Sequence, residues 1–338
     1  MRVIEIRGKG GPEVLAMAER PVPQCGPGEV LVRVAAAGVN RPDVQQRKGL
    51  YPPPPGVTDI PGLDVAGIVE AVAPDVAWPR LGDAVCALVS GGGYAEFCLV
   101  PAPQCMPIPR GFSFAQAATL PEVFFTAWNN VFWLGRIAEG ETLLVQGGTS
   151  GVGMAAMQMA RQLRNATVIA TSSSAAKRAV CLDYGAHHVV DYRDTDWPDQ
   201  VRALTGGAGV DVILDGQGGD YTPLEMALLA PDGRLVLIAS HRAPMAEIST
   251  RDIYIRRLTL TGSTLRARPP AYKGRIAREL VEQVWPLLED GRIRTHICAT
   301  HPLEQAGAAQ AVLDANAQIG KLVLTVSALA SQIPEPNP

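Results

Sequence analysis

Two periodicities divide this chain. Up to about residue 118 the apolar positions form short runs, at 30–35, 66–72 and 84–89, separated by glycine and proline clusters, and they predict strands. Residues 1–7 alternate apolar and polar side chains in the same sense. The tract Tyr51-Pro52-Pro53-Pro54-Pro55-Gly56 cannot enter a helix or a central strand, because proline lacks a backbone donor and fixes φ, so a stiff surface loop is expected there. From about residue 142 apolar runs alternate with segments of helical period. Runs at 142–146, 167–171, 188–192, 210–215, 234–239 and 258–262 predict strands with helices between several of them. That alternation implies a parallel, doubly wound sheet whose ligands lie beyond the carboxyl ends of its strands. Residues 273–288 predict one long helix and residues 303–315 another. The run at 321–326 predicts a strand that either extends the parallel sheet or returns to the first lobe. The tail, 331–338, has no amphipathic period and is expected to be mobile.

Between the first strand of the parallel region and the helix after it lies Gly147-Gly148-Thr149-Ser150-Gly151-Val152-Gly153. Strand, glycine turn and helix in that order suit a dinucleotide: glycine admits positive φ and lets backbone N–H groups approach a pyrophosphate, which the helix N-terminus stabilises. The helix stripe is Val152, Ala155, Ala156, Met159, Ala160 and Leu163. An NAD site usually carries an acidic residue about 20 positions on, to accept hydrogen bonds from the adenosine ribose. No carboxylate occurs between residues 142 and 182. The second strand instead runs into Ser172, Ser173 and Ser174, then Lys177 and Arg178. Hydroxyls and a cation suit a 2′-phosphate that a carboxylate would repel, so NADPH is expected. The alternative is a serine turn and N-cap, with Lys177 on a solvated face. Gly216 and Ser240 follow the runs 210–215 and 234–239, at strand ends where loops either touch a cofactor or merely turn.

With 338 residues, two lobes are expected. A hydrophobic content of 47% with 19% charged residues excludes wholesale disorder, and a net charge of −3 argues against an electrostatic grip on nucleic acid or an anionic membrane. No apolar run has the length of a signal peptide core or a bilayer span, and a cytoplasmic location is expected. Six scattered cysteines without a C-x-x-C pair fit reduced thiols, and His187 and His188, being adjacent, would face opposite sides of a strand. No metal site is expected.

The stretches 38–43, 46–54, 62–67, 91–96 and 147–153, in this order, resemble the zinc-independent quinone oxidoreductases of the medium-chain dehydrogenase/reductase superfamily, over essentially the whole length. The similarity is to the p53-inducible quinone oxidoreductase subgroup, related to zeta-crystallin. It implies an α/β protein: a GroES-like β-rich catalytic domain at 1–121, a Rossmann NADPH-binding domain at 122–265, and a carboxyl segment at 266–330 that returns to the first. It also implies NADPH in a cleft and a homodimer joined through the Rossmann sheets, with strand 258–262 at the edge. In zinc-dependent relatives a Cys stands where this chain has Asn40, and a Gly-His-Glu triplet stands where it has Gly62-Leu63-Asp64. The four-Cys insertion for a structural zinc is also missing. Without a Lewis acid, reversible alcohol oxidation is disfavoured and an already electrophilic acceptor is expected.

Carried over by position, Asn40, Tyr51 and Thr126 resemble the family's nicotinamide and substrate side, with Tyr51 and Asn40 as its catalytic candidates. Lys177 and Tyr192, with Ser173, resemble its 2′-phosphate clamp, and Leu265, Arg266 and Lys321 resemble late cofactor contacts. The activity implied is hydride transfer from NADPH to a quinone without metal, with a proton from Tyr51 or water. Reduction of an activated C=C bond, in a 2-alkenal or enoyl thioester, is the rival. A non-enzymatic NADPH-binding sensor or crystallin-like structural protein is the alternative outside catalysis.

Overall fold

The protein is described by a computed structural model over residues 1–337; Pro338 lies outside the described residues. Contacts divide the chain into two units. One comprises Met1–Phe125, Leu265–Gly291 and the chain from Thr295 onward, and the other Thr126–Thr264 with Arg292–Arg294.

In the first unit, β1 (Arg2–Ile6) and β2 (Leu15–Glu19) form a separate antiparallel pair. A larger sheet is built from β3 (Glu29–Val39), β4 (Asp64–Val72), β5 (Ala84–Leu88), β6 (Phe97–Pro101) and β7 (Cys105–Pro107). The central strand is β3, which pairs antiparallel with β4 and β6 and is apolar on both faces: Val30, Val32, Val34, Ala35, Ala36 and Ala37 are all buried. Residues 52–54 within the proline tract have no regular structure, as proline chemistry demands.

The second unit holds β8 (Thr142–Val145), β9 (Thr167–Thr171), β10 (His188–Val190), β11 (Val210–Asp215), β12 (Leu229–Leu237) and β13 (Thr259–Gly262). All pairings are parallel and the spatial order is β10-β9-β8-β11-β12-β13, the doubly wound arrangement expected. Its core takes Leu144, Ile169, Ile213 and Leu235 from the central strands. The remaining strands, β14 (Ile297–Pro302) and β15 (Lys321–Thr325), belong to the first sheet: β15 pairs antiparallel with β3, which resolves the ambiguity of the carboxyl segment.

Three local expectations, for the helix at 273–288 and the strands at 188–192 and 234–239, need correction, and one irregular helix was not foreseen. The long helix splits into Pro270–Gln283 and Trp285–Glu289, because Pro286 has no N–H to continue the ladder. Helix Pro121–Ala127 passes into a π-helical stretch, Trp128–Leu134, closed by Gly135 N–H donating to the Asn130 carbonyl five residues back. Strand β10 stops at Val190, so Tyr192 lies beyond it and is exposed. Strand β12 starts earlier than residue 234, and its Asp232 takes a left-handed φ of 64°. The tail also carries a tether: the Asn337 side chain accepts from Ala84 N–H at 2.8 Å and donates to the Ala84 carbonyl at 3.0 Å.

Candidate functional site

The glycine turn joins β8 to the helix Gly151–Arg164, whose buried face includes Ala155, Ala156, Met159 and Ala160. Gly147 sits at φ +77°, a conformation open to glycine, and a Cβ on Gly153 would lie 2.6 Å from the Gly147 carbonyl oxygen. Ser150 caps the helix, its hydroxyl accepting from Gly153 N–H at 3.0 Å. Two amides of the turn are spent on β9: Gly147 N–H donates to Thr171 Oγ1 and Gly148 N–H to the Thr171 carbonyl. Gly151 and Val152 stand at the first helical positions, where N–H groups have no acceptor within the helix, and Thr149 flanks them. These amides, at the positive end of the helix dipole, fit a pyrophosphate.

At the end of β9 the serines divide their duties. Ser172 is buried, its hydroxyl beside the Cys181 thiol, which burial pushes up to about 11. Ser174 caps the helix Ala175–Asp183 by accepting from Lys177 N–H. Ser173 and the Lys177 side chain are half-buried, and they remain on this edge as the hydroxyl and cation suited to a phosphate. The two acidic groups that follow along the chain are both paired: Asp183 with Arg294 at 3.0 Å, and Asp191 between Arg178 and Arg193 at 2.6 Å from each. The donor set therefore fits the 2′-phosphate of NADPH. Tyr192 is exposed, and its carbonyl accepts from the Tyr221 hydroxyl.

Beyond β11 and β12 the two loops are joined by backbone. His241 N–H donates to the Gly216 carbonyl, and Arg242 N–H to that of Gln217. Buried Asp215 holds the first loop by accepting from Gln217 and Gly218 N–H groups at 2.6 and 2.8 Å. Ser240 is exposed at the start of the second loop.

In the first unit a polar cluster forms at the end of β3. Asn40 precedes the helix Arg41–Arg47, and its backbone N–H donates to Asp43, in the capping-box sense. Its side-chain amide donates to Asp64 Oδ2 at 2.8 Å, while its carbonyl oxygen accepts from Lys321 Nζ at 2.5 Å. Lys321 also pairs with Asp64 at 2.9 Å, and Glu122 N–H reaches Asp64 Oδ1 at 2.6 Å. Asn40, Asp64 and Lys321 are all buried. An ammonium thus fills the place beside Asp64 that a cation would require, and among the described residues no three His, Cys, Asp or Glu side chains gather as metal ligands. Asp43 lies deeper, taking hydrogen bonds from the Tyr94 hydroxyl and from Gly62 N–H, and burial pushes its carboxyl up to about 6.

Arg266 forms the second cluster. Nε donates to the Ser90 carbonyl at 2.7 Å, Nη1 to the Tyr51 carbonyl at 3.1 Å and Nη2 to Gln46 Oε1 at 2.6 Å, with the guanidinium carbon 5.4 Å from the Tyr51 ring centre. The structure therefore brings Asn40 to Lys321 and Tyr51 to Arg266. Arg266 and Lys321, expected as cofactor contacts, both bond protein groups in this structure. Leu265 and Thr126 are half-buried, and the Thr126 carbonyl accepts from the Asn130 side chain. The sequence reading missed Ser90, Gln46, Asp43 and Lys273, whose ammonium donates to Ser90 Oγ at 3.0 Å. Lys273 carried a signal: it shares a helical stripe with Ile276, Ala277 and Leu280, all buried, an unusual place for a charge.

Residues 26–110 match the alcohol dehydrogenase GroES-like domain family and residues 151–283 the zinc-binding dehydrogenase family. A quinone oxidoreductase of Mus musculus is 33% identical over 96% of this chain and 97% of its own length. The synaptic vesicle membrane protein VAT-1 homolog of Rattus norvegicus is 31% identical, covering 96% of this chain and 84% of itself. A mycobacterial protein solved in complex with NADPH superposes with a TM-score of 0.87 at 31% identity, over 96% of this chain and all of its own.

Proposed function

The chain belongs to the zinc-independent quinone oxidoreductases of the medium-chain dehydrogenase/reductase superfamily, and from that premise we propose that it reduces quinones with NADPH. The observation that carries the cofactor is the end of β9, where the chain continues into Ser173 and Lys177 and where residues 142–182 include no carboxylate. Gly147 to Gly153 hold the pyrophosphate, while Ser173, Lys177 and Tyr192 take the 2′-phosphate. Gly216 and Ser240 border the cofactor from the neighbouring loops. Asn40, Tyr51 and Thr126 serve the nicotinamide and the acceptor, and Leu265 is a further cofactor contact.

When bound, NADPH supplies the hydride. The chain contributes placement and electrostatics: Asn40 is fixed by Asp64 and Lys321, and Tyr51 by Arg266, so neither has to be ordered at the moment of reaction. The Tyr51 phenol, or water, delivers the proton to the oxygen that gains charge, where placement counts for more than acidity. A quinone is electrophilic enough to react with that support alone. Activated C=C bonds are the second reading, since enones and quinones share a conjugated carbonyl.

Steady-state assays with NADPH and 1,4-benzoquinone, an orthoquinone or a 2-alkenal separate the readings. Quinone turnover in clear excess supports the proposal, and exclusive turnover of the alkenal replaces it with the rival. Tight NADPH binding with no turnover of any acceptor points to a sensor or structural protein. The free thiols suit a cytoplasmic protein, and among the described residues no helix is long and apolar enough to cross a membrane.

A further inference from the structure

Two cations lie inside the first unit, and among the described residues no carboxylate is bonded to either. Lys273 is 2% exposed and Arg266 6% exposed. Burying a cation without a counter-ion is costly, so the arrangement calls for an account beyond packing. Both converge on Ser90. Its hydroxyl has one proton, and Lys273 as an ammonium can only donate, 3.0 Å from Ser90 Oγ. That leaves the hydroxyl proton for the Arg266 carbonyl, at 2.7 Å. Arg266 Nε returns a bond to the Ser90 carbonyl, and the same guanidinium holds the Tyr51 carbonyl and Gln46.

We propose that Lys273 is a positioning residue which, through Ser90, locks Arg266 onto Tyr51, and that losing the Lys273 proton to solvent opens the lock. A neutral amine accepts as well as donates, so the Ser90 hydroxyl turns toward it and the Arg266 carbonyl loses its donor. The inference rests on the role given to Tyr51 above. Burial, with the Arg266 charge beside it, pushes the Lys273 ammonium down to about 8, which brings the switch into an accessible range.

Apart from Arg266, the described residues packed on its helix offer no competing charge at the ammonium. Its helix, Pro270–Gln283, packs on the turn Ala102–Gln104, on β7 and on Trp285–Glu289. The turn brings only the amide of Gln104. Strand β7 brings the Cys105 thiol, which burial raises further above its usual range, and Glu289 is paired with Arg110 at 2.8 Å. On the helix itself Tyr272 lies under Arg268, while Arg275 and Arg278 are exposed and Glu279 and Glu282 lie off the buried stripe. From the Tyr51 side, Asp43 is the carboxyl that acts on Arg266.

The test pairs turnover with a readout that needs none. In wild-type protein kcat/KM for 1,4-benzoquinone with NADPH is expected to fall as pH rises through about 8. Lys273→Arg keeps the activity and removes the fall; Lys273→Met lowers kcat/KM about tenfold with a flat profile and unchanged NADPH affinity. In tyrosine-ring 13C-labelled protein, the Tyr51 signal, assigned with Tyr51→Phe, shifts with the same midpoint in wild type and not in Lys273→Arg. A fall or shift near pH 8 that persists in Lys273→Arg overturns the inference, as does a Tyr51 signal that ignores pH. If Lys273→Met does not fold, the arginine variant still decides. Absent quinone turnover with an intact Tyr51 titration counts against the quinone reading and leaves the lock standing.

Discussion

We propose that Ser173 and Lys177 set which nucleotide is preferred. Lys177→Ala is expected to weaken NADPH binding about tenfold and to leave NADH binding nearly unchanged, measured by fluorescence titration. Equal losses for both nucleotides would assign Lys177 to a general role. Tyr51→Phe is expected to lower kcat/KM for a quinone on the order of a hundredfold without altering NADPH affinity; unchanged kinetics remove the phenol from the mechanism. Residue types were legible wherever backbone conformation demanded them, as at Gly147 and Gly153. They were not legible where a charge is buried by distant segments. Arg266 meets Ser90, Tyr51 and Gln46 from 176 to 220 positions away, and no local pattern encodes such a meeting.

Among the elements, the alternation of apolar runs located all six strands of the parallel sheet, and two of them, β9 and β11, at their observed limits. Misjudged boundaries share a cause in backbone details that side-chain pattern does not carry. Pro286 sits in an apolar stripe that continues across it, so the stripe hides the break. Asp232 holds its strand through what reads as a Pro-Asp-Gly turn. The tail was read by its lack of amphipathicity, yet one side chain mimics a strand partner for Ala84. Asn337→Ala is expected to lower the melting temperature by about 2–4 °C, from roughly 1 kcal/mol of net hydrogen bonding, with quinone turnover intact. An unchanged melting curve would show that the tether adds nothing to stability.

For the whole molecule, β13 is an edge strand paired only with β12, and Tyr254 and Ile255 just before it are exposed. We propose that the chain is a homodimer and that this edge is its interface. Light scattering is expected to give twice the chain mass for wild type and the chain mass for Thr261→Lys; a wild-type monomer would reject the assignment. The cluster of Asn40, Asp64 and Lys321 bears on stability. Asp64→Ala leaves a buried ammonium unpaired and is expected to cost about 3–5 kcal/mol in denaturant unfolding. Lys321 lies on the last strand of a unit whose first strands precede the whole parallel sheet. During synthesis on a ribosome, then, Asp64 waits through more than two hundred further residues for its counter-charge. The inserted nucleotide-binding unit has its complete set of strands before the unit that flanks it can close, and a chain interrupted short of residue 321 would be left with an acid its interior cannot neutralise.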